Sequence, residues 1–238
     1  MIPWENYNRK KKKGKFLIKF LSEEFLFKFL NSGEIWFSRA DKFGDKMECV
    51  LIDDLQKKSF PFDKVLERKQ KHLISCWHNV GRESISMWDA SYESVEKRRV
   101  YALKFEYDKL IKYVSGNKFN VDILEKNYGS VVYKNLVRDK ESESLSNNKI
   151  RRAAFRKEYS FSYEQEFRFV VKTNETLNSD GIGLNIGEPN TLDFEIMINP
   201  LLKKDEFIRM RNNLKEDNLA WSKYQDSKLV KYLKPTEW

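Results

Sequence analysis

Glu164, Glu166 and Arg168 stand at alternate positions in an aromatic and β-branched run from Tyr159 to Lys172. Such a run predicts a strand, whose side chains point alternately to its two faces. Tyr163, Gln165, Phe167, Phe169 and Val171 then share the face that belongs on the core. Glu164, Glu166 and Arg168 share the other, an acid–acid–base ladder with its carboxylates roughly 7 Å apart. A carboxylate held by Arg168 would stay ionised, and a rigid pair of carboxylates is a place for chemistry. The plainer reading is a solvated outer face of an antiparallel strand, carrying surface ion pairs of little energetic consequence. The residues alone favour the plainer reading.

Three other constellations have chemical content. Asp45 and Glu48 lie three apart in Phe43-Gly44-Asp45-Lys46-Met47-Glu48, which follows a strand. Carboxylates in a loop at a strand end can serve a site, or Asp45 can cap a turn with Glu48 as its capping-box partner. Taken with Glu164 and Glu166, they could also hold a divalent metal for nuclease chemistry. Trp88 and Tyr92, four apart on an expected helix, should meet on one face, where they could stack on a base or nicotinamide or simply pack the core. Cys76 and His78 would point the same way along a strand without touching, and a buried cysteine is ordinarily inert. No GxxxxGK[ST], GxGxxG or HExxH sequence is present, so the phosphate loop, dinucleotide fingerprint and zinc-protease helix have no support.

Composition narrows the classes. The chain has 238 residues, 40% hydrophobic and 14% aromatic, enough for a sizeable core and unlike a disordered chain. No stretch approaches the apolar length of a membrane span, and the N-terminus has no signal-peptide layout. Two cysteines, Cys49 and Cys76, do not make a disulfide framework, which fits a reduced, cytoplasmic compartment. The formal net charge of +9 favours an anionic partner such as a nucleotide or nucleic acid. Part of it sits in the basic run Arg9 to Lys15, a solvated arm or a phosphate contact.

The elements that must position these residues follow from periodicity. Residues 1–15 form a basic arm. Phe16–Phe20 and Glu34–Ser38 predict strands around a helix that starts at Ser22 and stops at Gly33. Residues 51–70 are helical with a break at Pro61, His72–Trp77 is a buried strand, and Ser84–Tyr92 is a short helix. Val100–Phe105 is a strand and Tyr107–Val114 a helix. Val121–Tyr128 is expected to be helical, Ser130–Tyr133 strand-like, Asp139–Asn148 a mobile loop and Lys149–Glu158 a basic helix. Strands near Ile182–Ile186 and Asp193–Ile198, a helix over Leu201–Leu214 and an edge strand at Leu229–Leu233 complete the chain. Strands and helices without regular βαβ alternation predict one α+β domain over residues 16–238, with mixed, largely antiparallel sheets flanked by helices.

Four stretches in order resemble the DUF2971 family of uncharacterised bacterial proteins. They are Ile35-Trp36-Phe37-Ser38 with Phe43 to Glu48, Ile74-Ser75-Cys76-Trp77, Met87 to Tyr92 leading to Val100-Tyr101-Ala102-Leu103, and Tyr163 to Arg168. The family loop looks like Phe-Asn-Asp-Pro-Phe-Glu, with Gly44 and Lys46 here at its Asn and Pro; Arg99 stands where a glycine is expected. More distantly, strand–helix–strand followed by a late strand with Glu-x-Glu resembles the ADP-ribosyltransferase fold. That resemblance implies an NAD-consuming enzyme, a toxin or defence effector. By that resemblance Lys19 and Ser38 would contact NAD, Glu166 would be the catalytic glutamate and Glu164 the first acid of Glu-Gln-Glu; Asp45, Arg168, Trp88 and Tyr92 are the further expected NAD-binding residues. The competing expectations are a non-catalytic nucleic-acid- or nucleotide-binding protein and a metal-dependent nuclease.

Overall fold

A computed structural model describes residues 3–6, 14–55, 57–80, 83–89, 100–135 and 153–230. Tyr92, Arg99, the loop expected over 139–148 and most of the basic arm lie outside the described residues. The fold is α+β, and its strand pairs are mostly antiparallel. Contacts group the chain into two compact units, each assembled from three separated segments.

The first unit comprises residues 1–12, 35–76 and 117–184. Its strands are β1 (Glu5–Asn6), β3 (Glu34–Arg39), the first half of β4 (His72–Val80), β6 (Ile123–Ser130), β7 (Val132–Lys134), β8 (Arg156–Glu158), β9 (Glu166–Thr173) and β10 (Gly181–Asn185). β6 pairs antiparallel with β9, setting Gly129 opposite Arg168 and Ser130 opposite Phe167. β1 runs parallel to β6, and β3 pairs antiparallel with β4 through Ser38 and Ile74. β7 and β8 form a separate short parallel pair. Helices α2 (Ile52–Leu55) and α3 (Phe62–Gln70) fill the expected helical region, with Pro61 at the N-cap of α3.

Three expectations in this unit need correction. Val121–Tyr128 is mostly strand, because Tyr128 and Phe169 pack their rings across the β6–β9 pair and sheet packing overrides weak helical spacing. The basic helix expected up to Glu158 gives way to β8 from Arg156. Most consequentially, the strand expected over Tyr159–Lys172 begins only at Glu166. Tyr159–Glu164 is a 3₁₀ helix, and Gln165 takes a left-handed conformation (φ 41°) before the strand starts.

The second unit comprises residues 13–34, 77–116 and 185–238. β2 (Phe16–Leu21) pairs antiparallel with the latter half of β4 and with β5 (Tyr101–Glu106), and β5 pairs with β11 (Phe194–Ile198). The helices are α1 (Glu23–Ser32), α4 (Ile85–Asp89), α5 (Tyr107–Gly116), α6 (Lys204–Glu216) and α7 (Asn218–Lys223). The apolar stripe Leu26, Phe29 and Leu30 of α1 is buried, and Phe29 meets Phe105 and Phe194 edge to face. Gly33 ends α1 in the left-handed conformation, its N–H donating to the Phe29 carbonyl. A Cβ there would lie 1.9 Å from the Gly187 carbonyl oxygen, so both φ and space require glycine. Leu229 lies in a turn and Val230 at a helical position, so neither begins the expected edge strand, and its residues 231–233 lie outside the described residues. Among the described residues no helix is long and apolar enough to cross a membrane.

Candidate active site

Strand β9 is buried on both faces. Phe167 and Phe169 pack against Tyr128 on one side. The alternate residues Glu166, Arg168 and Val170 share the other, and Val170 belongs to an apolar cluster with Ala40, Cys49, Ile74, Ala154 and Phe155. The expected solvated ladder is therefore a buried one. Arg168 is 0% exposed and Glu166 9%. A naked charge there would be costly, so the packing requires dense pairing.

Arg168 satisfies its guanidinium from three directions. Nη1 and Nη2 donate to the two oxygens of Glu48 at 2.5 and 3.0 Å, a bidentate fork. Nε donates to Glu166 Oε2 at 2.5 Å, and Nη1 also donates to the Ala154 carbonyl at 2.7 Å. Glu166 accepts from Lys157 Nζ at 3.1 Å through its other oxygen, and Lys157 donates to Glu164 as well. The Glu166 backbone N–H donates to Tyr133 Oη at 2.7 Å. Lys157 also lies over the Phe161 ring, 4.5 Å from its centroid.

Glu48 reaches this cluster through a tight loop. Asp45 Oδ1 accepts from the Met47 N–H at 2.8 Å and the Asp45 carbonyl from the Glu48 N–H at 3.2 Å. Cys49 follows in the left-handed region, φ 56°, a strained conformation for a side chain with a Cβ. Asp45 thus shapes the turn, as the capping alternative expected. Glu48, however, is no capping partner: it is buried at 1% exposure against Arg168. Its pairing with a residue 120 positions away leaves no local signal in the sequence.

Two cations, Arg168 and Lys157, face three carboxyls, Glu48, Glu164 and Glu166. The carboxyls outnumber the cations by one, and their environments separate them. Burial pushes the Glu48 carboxyl up against the pull of Arg168. Burial, with the hydrogen bond and charge of Glu166, pushes Glu164 up to about 8. Glu166 goes the other way: burial opposes its ionisation, but the Arg168 and Lys157 charges and the Glu164 hydrogen bond hold it well below the ordinary carboxylate range. Near neutrality the pair comprises a fixed carboxylate and a protonated acid. The Glu164 side chain is 17% exposed, the most open of the three carboxyls.

The remaining candidates have surroundings of their own. Ser38, half-buried, sits in β3 in register with Ile74. Lys19 is in the second unit, its ammonium 5.3 Å from the centre of the Trp77 ring. Trp88 is 0% exposed and meets Phe20 edge to face at 4.6 Å, within a cluster of Ile18, Met87, Ala102 and Met197. That packing matches its core alternative and leaves no ring face for a ligand to stack on. Cys49 is buried and its thiol is pushed up to about 12 by burial, which keeps it un-ionised.

Sequence reasoning missed Lys157, because that segment reads as a helix, and Tyr133, whose hydroxyl fixes the first residue of β9. The alternation of acid and base at Glu166 and Arg168 was a usable signal; nothing nearby identified Glu48 as their partner. Compared with protein-family models, curated proteins and solved structures, the chain matches none.

Proposed function

We propose that the chain is an NAD-consuming, ADP-ribosyltransferase-like enzyme whose working groups are Glu166 and Glu164. One observation carries the reading: two carboxyls share Lys157, and their surroundings drive their protonation in opposite directions. Such a separation assigns acid and base roles. The Glu-Gln-Glu spacing and the resemblance to the ADP-ribosyltransferase fold point to NAD as the substrate.

In the proposed reaction the bond between ribose C1′ and the nicotinamide nitrogen breaks, and its electron pair leaves with neutral nicotinamide. The ribose passes through an oxocarbenium-like state. Glu166, kept anionic, stabilises that positive charge. An acceptor hydroxyl or amine then bonds to C1′ and gives its proton to Glu164, which must be unprotonated to receive it. Arg168, Glu48 and Tyr133 position Glu166. Ser38 and Asp45, in the same unit, are the remaining candidates for contacts to NAD. A metal-dependent nuclease would draw on Asp45, Glu48, Glu164 and Glu166, and side-chain cations already engage all four oxygens of Glu48 and Glu166.

The test is nicotinamide release from NAD by wild type, Glu166→Gln and Glu164→Gln, with thermal melts as folding controls. Glu166→Gln lowers turnover about 10²–10³-fold, the scale of losing one preorganised electrostatic contact, and changes NAD affinity far less. Glu164→Gln weakens transfer to an acceptor more than hydrolysis. Wild-type transfer rises with pH through about 8 as Glu164 loses its proton. If wild type releases no nicotinamide with nucleic-acid or protein acceptors, and NAD does not shift its melt, the transferase reading is wrong.

A further inference from the structure

Helices α6 and α7 of the second unit carry a group of side chains with no part in the proposed reaction. Trp221 and Tyr224 stack with ring centroids 5.3 Å apart and planes 14° from parallel. Trp221 is 38% exposed, unusual for so large an apolar ring. Arg211 and Lys215, both exposed and four apart on α6, place their charges 5.7 and 5.4 Å from the Trp221 ring centre, and Arg211 is also 5.9 Å from that of Tyr224.

The platform is rigid and its cations are available. The Trp221 N–H donates to the Asp217 carbonyl at 2.9 Å, and the Tyr224 N–H to the Trp221 carbonyl at 3.2 Å. Tyr224 forms a bridge with Ile196, and the following Gln225 N–H donates to the Ile196 carbonyl at 2.9 Å. Two nearby carboxylates are engaged: Asp226 accepts from the Tyr224 hydroxyl at 2.5 Å, and Asp217 accepts from the Ala220 N–H at 2.9 Å as the α7 cap, while Glu216 beside Lys215 is exposed. Among the described residues, neither Arg211 nor Lys215 is in an ion pair. Two unpaired cations beside an exposed indole, on a chain of net charge +9, complement a ligand that is both anionic and aromatic.

We propose that Trp221, Tyr224, Arg211 and Lys215 form a binding surface for single-stranded nucleic acid. A base stacks on the exposed part of the Trp221–Tyr224 pair, and the flanking phosphates draw Arg211 and Lys215 from the rings. Stacking supplies affinity with little sequence preference, because every base has a π face. The two cations supply the salt-dependent part. A duplex hides its base faces and fits the platform poorly. The surface is independent of the carboxyl pair, so it stands or falls separately from the transferase reading.

Fluorescein-labelled oligothymidine and oligouridine of about a dozen nucleotides, a length within reported single-strand site sizes, serve as probes for anisotropy titrations across a salt series. Wild type binds the single strands more tightly than a duplex of the same length or thymidine monophosphate. Trp221→Ala weakens binding about tenfold or more, the effect of losing one base stack, and Trp221→Tyr largely restores it. Arg211→Gln with Lys215→Gln flattens the slope of log K against log salt by about 1.4, two phosphates at about 0.7 each. Absence of single-strand binding at low salt overturns the proposal. So does binding unchanged by either set of substitutions, or a duplex or the mononucleotide binding as tightly as the strand. If Trp221→Ala fails to fold, the Trp221→Tyr comparison and the double glutamine variant decide on their own.

Discussion

Two charge ladders in this protein look alike on paper and differ in consequence. In the first unit, Glu48–Arg168–Glu166–Lys157–Glu164 alternates acid and base. In the second, Glu106–Lys109–Asp193 does the same on a smaller scale. The contact distances are comparable, yet Lys109 and its partners are 44–66% exposed whereas Arg168 and Glu48 are almost wholly enclosed. Exposed pairs exchange one hydrated arrangement for another. Enclosed ions have lost their water, so every partner becomes obligatory and the protons redistribute among the acids. Depth, rather than spacing, makes the first ladder a candidate for chemistry.

The sharpest break is Arg168→Met. It strands Glu48 without its cation and leaves Glu166 with Lys157 alone, and urea titration should show a loss of about 3–5 kcal/mol, the usual scale for an orphaned buried charge. Adding Glu48→Met recovers part of that loss, since it removes one stranded carboxylate. A midpoint unchanged by Arg168→Met would contradict the burial described for the ladder. A second measurement tests the proton distribution. Glu164 has its folded-state pKa raised to about 8, so its contribution to stability is complete below the unfolded value near 4.3 and is lost as pH rises through 8. Between these limits it slopes stability downward by up to about 1.4 kcal/mol per pH unit. Glu164→Gln should flatten the urea-derived profile over that window and leave it unchanged at pH 4. The smallest effect belongs to the exposed ladder: Lys109→Ala should leave the urea midpoint within error at low and high salt. A clear shift there would blur the distinction between the two regions.

How far the sequence carried the fold can be read at particular residues. Phe16–Phe20, Glu34–Ser38 and the Phe25/Leu26/Phe29/Leu30 spacing announced β2, β3 and α1, because local spacing and burial agree there at every one of the four but Phe25, which is exposed. Val121–Tyr128 misled, because its fate was decided by the distant β9. The Tyr159–Glu164 run also misled: its aromatic content reads as strand, but Glu158 caps a 3₁₀ helix through the Ser160 N–H. Glu166 and Arg168 were legible as a same-face pair, since strand alternation holds from Glu166 onward. Their depth was not legible. It depends on Glu48, Lys157 and the apolar cluster around Val170, all brought in by non-local pairing.

The left-handed turn at Gln165 has a consequence for how the carboxyl pair can vary. Glu164 and Glu166 are two residues apart, yet different frames fix them: the 3₁₀ segment holds one, and the register of β9 against β6 holds the other. The joint between them makes the pair modular. The Tyr159–Gln165 segment could be exchanged wholesale, resized or regrafted, and the anion on β9 would keep its anchorage to Arg168. Under the proposed transferase reading, drift in that segment would retune acceptor choice while the Arg168 pairing of Glu166 stays in place.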